Sequence, residues 1–429
     1  MMRLILFFLI SFLTYIPLSA QDQYIYCGNL IDVESGKVLS NKTIIVKDDL
    51  ILDIEDGFIE LPSQSELIDL RDFTILPGLF DMHVHLESET SKDNYIKPFT
   101  LNEADIAFES QKHAKTTLFA GFTSVRDLGG TGVNTSLRNA INKGLVLGPT
   151  VYSAGKSIAT TGGHADPTNG YKADLMGNPG PKEGVINSPE QARQAVRQRY
   201  KNGADVIKIT ATGGVLSLAK SGHNPQFFPD EIKAIVETAN DYGMLTAAHA
   251  HGDEGMQRAV KAGIKTIEHG TMMSEETIEL MIKHGTYYVP TITAGKSVAE
   301  LAEIDGYYPE LVVPKAKAIG PKIQSTFEKA YKKGVNIVFG TDAGVFKHGE
   351  NAREFGFMVE VGMPPMEAIQ SATIIAAKLL AVDSLYGSIT KGKKADIIAV
   401  KKNPIDDIST LLNVVFVMKH GKVIKYDEM

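Results

Sequence analysis

The chain has 429 residues, 43% of them hydrophobic and 22% charged, and a formal net charge of −7. That length suits one barrel-sized domain plus a smaller one, in a composition ordinary for a soluble globular protein. The acidic balance and the lack of a long basic run exclude a nucleic-acid partner, and the single Cys27 excludes an internal disulfide and any cysteine-based zinc site.

Residues 1–20 read as a secretory signal: Arg3 supplies the positive start, Leu4 to Tyr15 the apolar core, and Leu18-Ser19-Ala20 precedes a polar Gln21-Asp22. The apolar stretch is short for a membrane span, and a retained N-terminal anchor is the alternative. Cys27 follows Tyr24-Ile25-Tyr26 rather than the small residues that precede a lipoprotein cysteine. The expectation is an exported protein, periplasmic or secreted, cleaved after Ala20 and without stable membrane association.

Residues 22–75 are strand-like pieces separated by Gly28, Gly36, Asp48-Asp49 and Asp56-Gly57. Beyond Gly387, the runs Ala395–Val400 and Val414–Val423 look the same. Edge strands need partners, so residues 21–75 and 384–429 are expected to build one small β-sandwich domain from both chain ends.

Between them, over 76–383, the pattern changes to strands alternating with helices. Eight short apolar runs recur: Leu76–His83, Phe122–Arg126, Thr150–Ala154, Asp205–Thr210, Met244–His249, Ile264–His269, Thr286–Pro290 and Asn336–Asp342. Helical stretches lie between several of them: Ser188–Asn202, Asp230–Tyr242, Ser274–His284 and Pro321–Lys333. Ser188-Pro189 marks a helix start, and Gly203, Gly243, Gly285 and Gly334 sit where a left-handed cap is wanted. Eight such units indicate an α/β fold of the (β/α)8 TIM-like barrel type. An open doubly wound sheet is the alternative, but no glycine-rich dinucleotide fingerprint follows the first strand.

Chemistry-bearing residues gather at the ends of these runs. His83 and His85 are two apart on the first and share a face. Lys208 lies in the fourth, while His249, His269 and Asp342 end the fifth, sixth and eighth. A bare histidine pair is as readily two unrelated groups. Six residues on five strands that converge at one barrel face are hard to obtain by chance. Neutral imidazole and carboxylate are good ligands for zinc and similar ions. Lys208 is different, because an ammonium only donates. Either it forms a salt bridge in the barrel, or it has reacted with carbon dioxide. The resulting carbamate has two oxygens and one negative charge, enough to bridge two divalent cations.

Further motifs join this set: Pro77-Gly-Leu-Phe-Asp-Met-His-Val-His85, Thr161-Gly-Gly-His164, Val206-Ile-Lys-Ile-Thr210, Ala248-His-Ala-His-Gly252, Ile267-Glu-His-Gly270, Gly340-Thr-Asp342 and Gly392-Lys-Lys-Ala-Asp396. In these the chain resembles the amidohydrolase superfamily, over nearly the whole mature length. The resemblance is to its exported branch of Xaa-Pro-dipeptidase-like and imidazolonepropionase-like enzymes, which includes carboxypeptidase-like enzymes that split N-acyl amino acids and amidohydrolases that degrade ochratoxin. It implies two divalent metal ions, with Zn2+ the first choice and manganese or cobalt suited to the same ligands. His83, His85, Lys208 and Asp342 would hold one ion, and Lys208, His249 and His269 the other, with carbamylated Lys208 as the bridge. Asp342 would be the catalytic proton carrier.

His164 sits in a Gly-rich loop after the third strand, where it either contacts substrate or holds the Gly-Gly turn. The relatives carry a similar histidine. Leu216, in the segment Thr212–Leu218, and Ser88 are expected to line the cleft. Phe227 departs from the relatives, in which a tyrosine near this position helps to hold the substrate's C-terminal carboxylate. His251 is left outside the site, because the chain should be turning by then. His113, His223, His284, His348 and His420 match no motif and read as solvated or structural. The resemblance implies cleavage of the amide bond of N-acyl or N-aminoacyl amino acids, with a small peptide or N-acyl amino acid as substrate, in a homo-oligomer. Opening of a cyclic amide is the second reading. A non-catalytic scaffold is the third, and it need not keep the ligand set that is complete here.

Overall fold

Alternating apolar residues at both chain ends need one shared core, and they obtain it by pairing with each other. The computed structural model describes residues 21–427, so the segment 1–20 that was read as a secretory signal lies outside the described residues. Strands β1 (Gln23–Asp32), β2 (Lys37–Lys47), β3 (Leu50–Asp56) and β4 (Glu66–Pro77) come first. They share a seven-stranded sheet with the last three strands, β14 (Ile397–Val400), β15 (Val414–Lys419) and β16 (Lys422–Tyr426). The seam between the chain ends is antiparallel, with Ile397 opposite Pro77 and Ile398 opposite Leu76. The expected two-layered sandwich is one curled sheet: the Ile51 amide near the β3 edge donates to the Lys393 carbonyl at 2.8 Å, just ahead of β14. The curl encloses Ile25, Cys27, Ile44, Leu70, Ile397 and Phe416. Gly28 sits at the bulge between β1 and β4, where a Cβ would meet the Arg71 carbonyl oxygen at 1.9 Å.

Strand β4 runs through Gly78 into the barrel. β5 (Leu79–Val84), β6 (Phe122–Asp127) and β7 (Thr150–Ser153) form one parallel arc. A two-residue pair, β8 (Ala159–Thr160) with β9 (Val185–Ile186), follows. The second arc is β10 (Val206–Thr210), β11 (Leu245–Ala250), β12 (Thr266–His269) and β13 (Tyr287–Val289). Two short joints close the ring. The Ile158 amide donates to the Lys208 carbonyl at 2.8 Å, and the Thr210 amide donates back at 3.1 Å. Residues 336–343 fill the eighth place as extended chain: the Val338 amide donates to Tyr288 at 3.0 Å, and the Asp342 amide to His83 at 2.7 Å. The closed barrel replaces the open-sheet alternative. The eighth strand was expected to be regular, but its register is broken where Asp342 turns into the site.

Helix Pro189–Lys201 starts as expected, with Ser188 Oγ accepting from the Gln191 amide at 3.3 Å. The helix expected over Pro321–Lys333 instead begins at Val313 and carries Pro321 inside it. It packs against a second helix, Ile292–Leu301, at a close crossing. A Cβ on Gly295 would meet Ile323 at 2.8 Å, and one on Gly320 would meet Ala299 at 2.8 Å. Burial in this crossing outweighs the hydrogen bond that an internal proline removes. The pair lies over the C-terminal mouth of the barrel and forms one wall of the cavity there.

Candidate metal centre

Alternation along β5 aims Asp81 and His83 into the barrel. Asp81 is fully buried and accepts from the His83 amide at 3.1 Å, the Thr341 amide at 3.0 Å and the Asn351 side chain at 2.7 Å. Burial pushes its carboxyl up to about 6, against the pull of these donors. The contacts tie the first strand to the eighth and fix where His83 and Asp342 stand.

At the C-terminal strand ends lies a cavity of about 260 Å³. His83, His85, Lys208, His249, His269 and Asp342 all line it, and so do His164 and Leu216. His251 lines it as well, contrary to the sequence expectation. Strand β11 runs on to Ala250, so His251 keeps the parity of His249, with ring centroids 4.7 Å apart. Ser88 is not among the lining residues. The chain turns back after His85, and the Ser88 carbonyl accepts from His348 Nε2 at 2.9 Å. Phe227 packs into the barrel core and does not reach the cavity. Its neighbour Gln226 accepts from the His164 amide at 2.8 Å.

Three of the converging residues leave the strand pattern. His269, Thr291 and Asp342 have φ of 70°, 52° and 63°, in the left-handed region. Such conformations cost roughly 1–3 kcal/mol each and persist where surrounding structure enforces them. Their effect is geometric. On β12 the alternation turns Glu268 into the barrel, and the left-handed turn brings His269 to the cavity as well.

The electrostatics are those of a ligand set suited to a cation. Asp342 Oδ1 lies 3.3 Å from His85 Nε2 and 3.5 Å from His83 Nε2, yet it is buried with no hydrogen-bond partner. Lys208 Nζ lies 3.4 Å from His83 Nε2 and has no carboxylate ion pair among the described residues. Burial pulls His83, His249 and His269 well below the ordinary imidazole range, and His164 and His251 down to about 3. These rings are neutral at pH 7, the form that ligates metal. Burial also opposes charge on His85, but the adjacent Asp342 outweighs it and holds His85 above its usual value. For Asp342, burial pushes upward and is outweighed by His83 and His85, which hold it low. Burial lowers Lys208 to about 8. His83, His269 and Asp342 offer ligand atoms all within 4.8 Å of one another. An orphaned buried carboxylate oxygen amid neutral imidazoles fits a divalent metal.

The ring orientations are set from behind, as ligating imidazoles require. His85 Nδ1 donates to the Gly129 carbonyl at 2.8 Å, and His269 Nδ1 lies 2.7 Å from Thr291 Oγ1. His83 Nδ1 faces Glu268 Oε2 at 2.9 Å, while Glu268 Oε1 accepts from Arg126 Nη2 at 2.9 Å. Arg126 and Glu268 are both fully buried. Sequence reasoning missed this pair. The signal was available, since both residues are charged and stand on inward positions of barrel strands. Glu268→Gln should lower metal affinity about 10–100-fold by loosening His83. It should also cost about 3–5 kcal/mol of stability, because Arg126 is left uncompensated. Metal titration and urea denaturation of the metal-free protein measure the two effects separately.

The amidohydrolase family model matches residues 74–424. Ochratoxinase from Aspergillus niger is 33% identical over 432 residues, covering 95% of this chain and 87% of its own length. The solved structure of a Xaa-Pro dipeptidase with methionine bound in its active site is 54% identical, with a TM-score of 0.92 over 94% of this chain and 100% of that one. A prolidase complexed with N-methylphosphonate-L-proline is 31% identical, with a TM-score of 0.86 over 95% of this chain and 100% of that one.

Proposed function

The chain belongs to the amidohydrolase family and is a hydrolase of amide bonds, and from this premise we propose that it is a binuclear-metal enzyme releasing the C-terminal residue of dipeptides and small N-acyl amino acids. The observation that carries the reading is the convergence of His83, His85, Lys208, His249, His269 and Asp342 on one cavity. Lys208 would carry a carbamate and, with the four histidines and Asp342, hold two divalent ions, Zn2+ first among them. Bound there, such ions supply Lewis acidity toward the scissile carbonyl and bring water to hydroxide near neutral pH.

The rest of the chemistry belongs to the chain. Asp342, held low by His83 and His85 and so ionised at neutral pH, is the group placed to accept the proton of the attacking water. It returns that proton to the amine nitrogen as the C–N bond breaks. Neutral His164 stands on the opposite wall, its ring centroid 4.3 Å from that of His249, and its Nδ1 has no partner. That nitrogen is available to the substrate. Ala294, Val298, Ile319 and Ile323, from the two crossed helices, face the ligands and exclude water.

Size supports a small substrate. The cavity holds about 260 Å³, below the roughly 300–1,000 Å³ usual for drug-sized ligands. A dipeptide matches this central space, whereas a bulky aroyl amide of the ochratoxin type would have to extend past Leu216 into the adjoining space. The similarity to a dipeptidase structure containing methionine favours an aliphatic leaving residue against the Val298–Ile323 wall. Export through residues 1–20 belongs to this reading.

The test is a panel of Xaa-Xaa dipeptides, N-acetyl amino acids and cyclic amides, given to zinc- and bicarbonate-treated protein. Release of a free C-terminal amino acid, fastest for dipeptides with an aliphatic second residue, is expected. Turnover of cyclic amides alone would move the assignment to ring opening.

A further inference from the structure

Two further compartments flank the metal cavity, and they differ in charge. On the His164 side, a space of about 560 Å³ shares His164 and Leu216 with the metal cavity. Tyr95, Tyr171, Met176 and Leu218 line it beside the carboxylates of Glu103 and Asp166, and no lysine or arginine does. On the His251 side, a space of about 550 Å³ shares Val215, His251 and Ile319 with the metal cavity. Lys220, Lys315, Lys322 and His223 line this one, and no carboxylate does.

The three lysines do different work. Lys315 Nζ donates to the carbonyls of Ser217 at 2.7 Å, Ala219 at 2.9 Å and Gly214 at 3.3 Å. It pins the loop that carries Val215 and Leu216 into the metal cavity. Lys220 and Lys322 are exposed and have no ion pair among the described residues. In a chain of net charge −7, two unpaired cations and a pinned third around one opening, with no acid in its lining, create a local positive field.

We propose that this compartment is the subsite for the free carboxylate of the substrate's C-terminal residue, which enters past His251, with the acyl end on the His164 side. The inference rests on the amide-hydrolase reading of the metal cavity and adds the direction in which the substrate lies. The acyl side, with Glu103 and Asp166, repels an anion, whereas the lysine side attracts one. The same route suits the departing amino acid, whose carboxylate is already there when the amide breaks.

The experiment compares Ala-Met with its C-terminal carboxamide, in the wild type and in the double variant Lys220→Ala/Lys322→Ala. Both positions are exposed, so the variant is expected to fold. In the wild type the ratio of kcat/KM for acid over carboxamide should fall roughly three- to tenfold as salt rises from about 20 to 200 mM. At low salt the double substitution should lower that ratio by a similar factor, through KM. A ratio insensitive to salt and substitution overturns the proposal. A second readout separates it from the functional reading: calorimetric binding of methionine against methioninamide to the zinc-loaded protein. If no amide is hydrolysed, the functional reading fails. Tighter binding of methionine, weakened in the variant, still supports the anion site, and equal binding of the two ligands removes it.

Discussion

Asp342→Asn should lower kcat by about 10²–10⁴-fold, the usual contribution of a positioned general acid–base, while the protein keeps its metal. Asparagine retains an oxygen of the same size in the same place, so the ligand geometry survives. It loses the ability to accept a proton. The carboxylate is held low by His83 and His85 despite its burial, so it is ionised and ready at neutral pH. Metal content by elemental analysis and kcat on the same sample decide the matter. Full metal with little turnover is the expected pair, and full metal with normal turnover removes Asp342 from the proton path. If the metal is lost too, Asp342 is a ligand before it is a base.

Lys208→Ala should reduce bound metal from two equivalents to one or fewer and lower kcat by at least about 10²–10³-fold, the loss typical of removing one strong electrostatic element. The buried amine lies 3.4 Å from His83 Nε2 and has no carboxylate partner among the described residues. A bare ammonium there is costly, and a carbamate removes the cost by replacing the cation with an anion among metal ions. Small carboxylates such as acetate or propionate should restore part of the activity by occupying the vacated volume. Burial lowers the lysine to about 8. About one amine in ten is then neutral at pH 7, against roughly one in 3,000 at the ordinary lysine value. Only the neutral amine attacks carbon dioxide. When carbon dioxide is returned to the decarbamylated protein at a fixed dissolved concentration, recovery of activity should therefore quicken as pH rises, by about tenfold between pH 7 and 9 as that fraction grows toward one. Labelling with carbon-13 bicarbonate should give a carbamate resonance in the wild type and none in the variant. A wild-type protein that binds two metals without that resonance overturns the bridge.

Both expectations rest on residues that local pattern already exposed. His83 and His85 show themselves by a two-residue period on a strand. Lys208, His249 and Asp342 show themselves as polar groups at the ends of apolar runs. Such signals are local, because side-chain direction in a strand repeats every two residues. The barrel follows from the same kind of evidence, since eight apolar runs with intervening helices leave few ways to bury both faces of each strand. The crossed helices Ile292–Leu301 and Val313–Lys333 were less legible. Pro321 reads locally as a start, and only the glycine-mediated contact with the neighbouring helix explains its place in the interior.

The sequence by itself indicated eight strand–helix units, the partnership of the two chain ends and the six candidate polar groups, all consequences of hydrophobic period and of which side chains bind cations, while closure of the units into a barrel was left to the structure. Only the tertiary structure decided how they meet. The left-handed backbone of His269 and Asp342 departs from strand alternation, and such a turn is enforced by neighbours rather than by the residue's own preference. The buried Arg126–Glu268 pair behind His83 spans 142 positions of sequence, and the lysine-lined opening past His251 is assembled from separate loops and helices. Local period carries no information about contacts of that range. They arise when ring closure brings distant strand ends to one face, where burial strips all of these imidazoles but His85 of charge and leaves one carboxylate oxygen without a partner among the described residues.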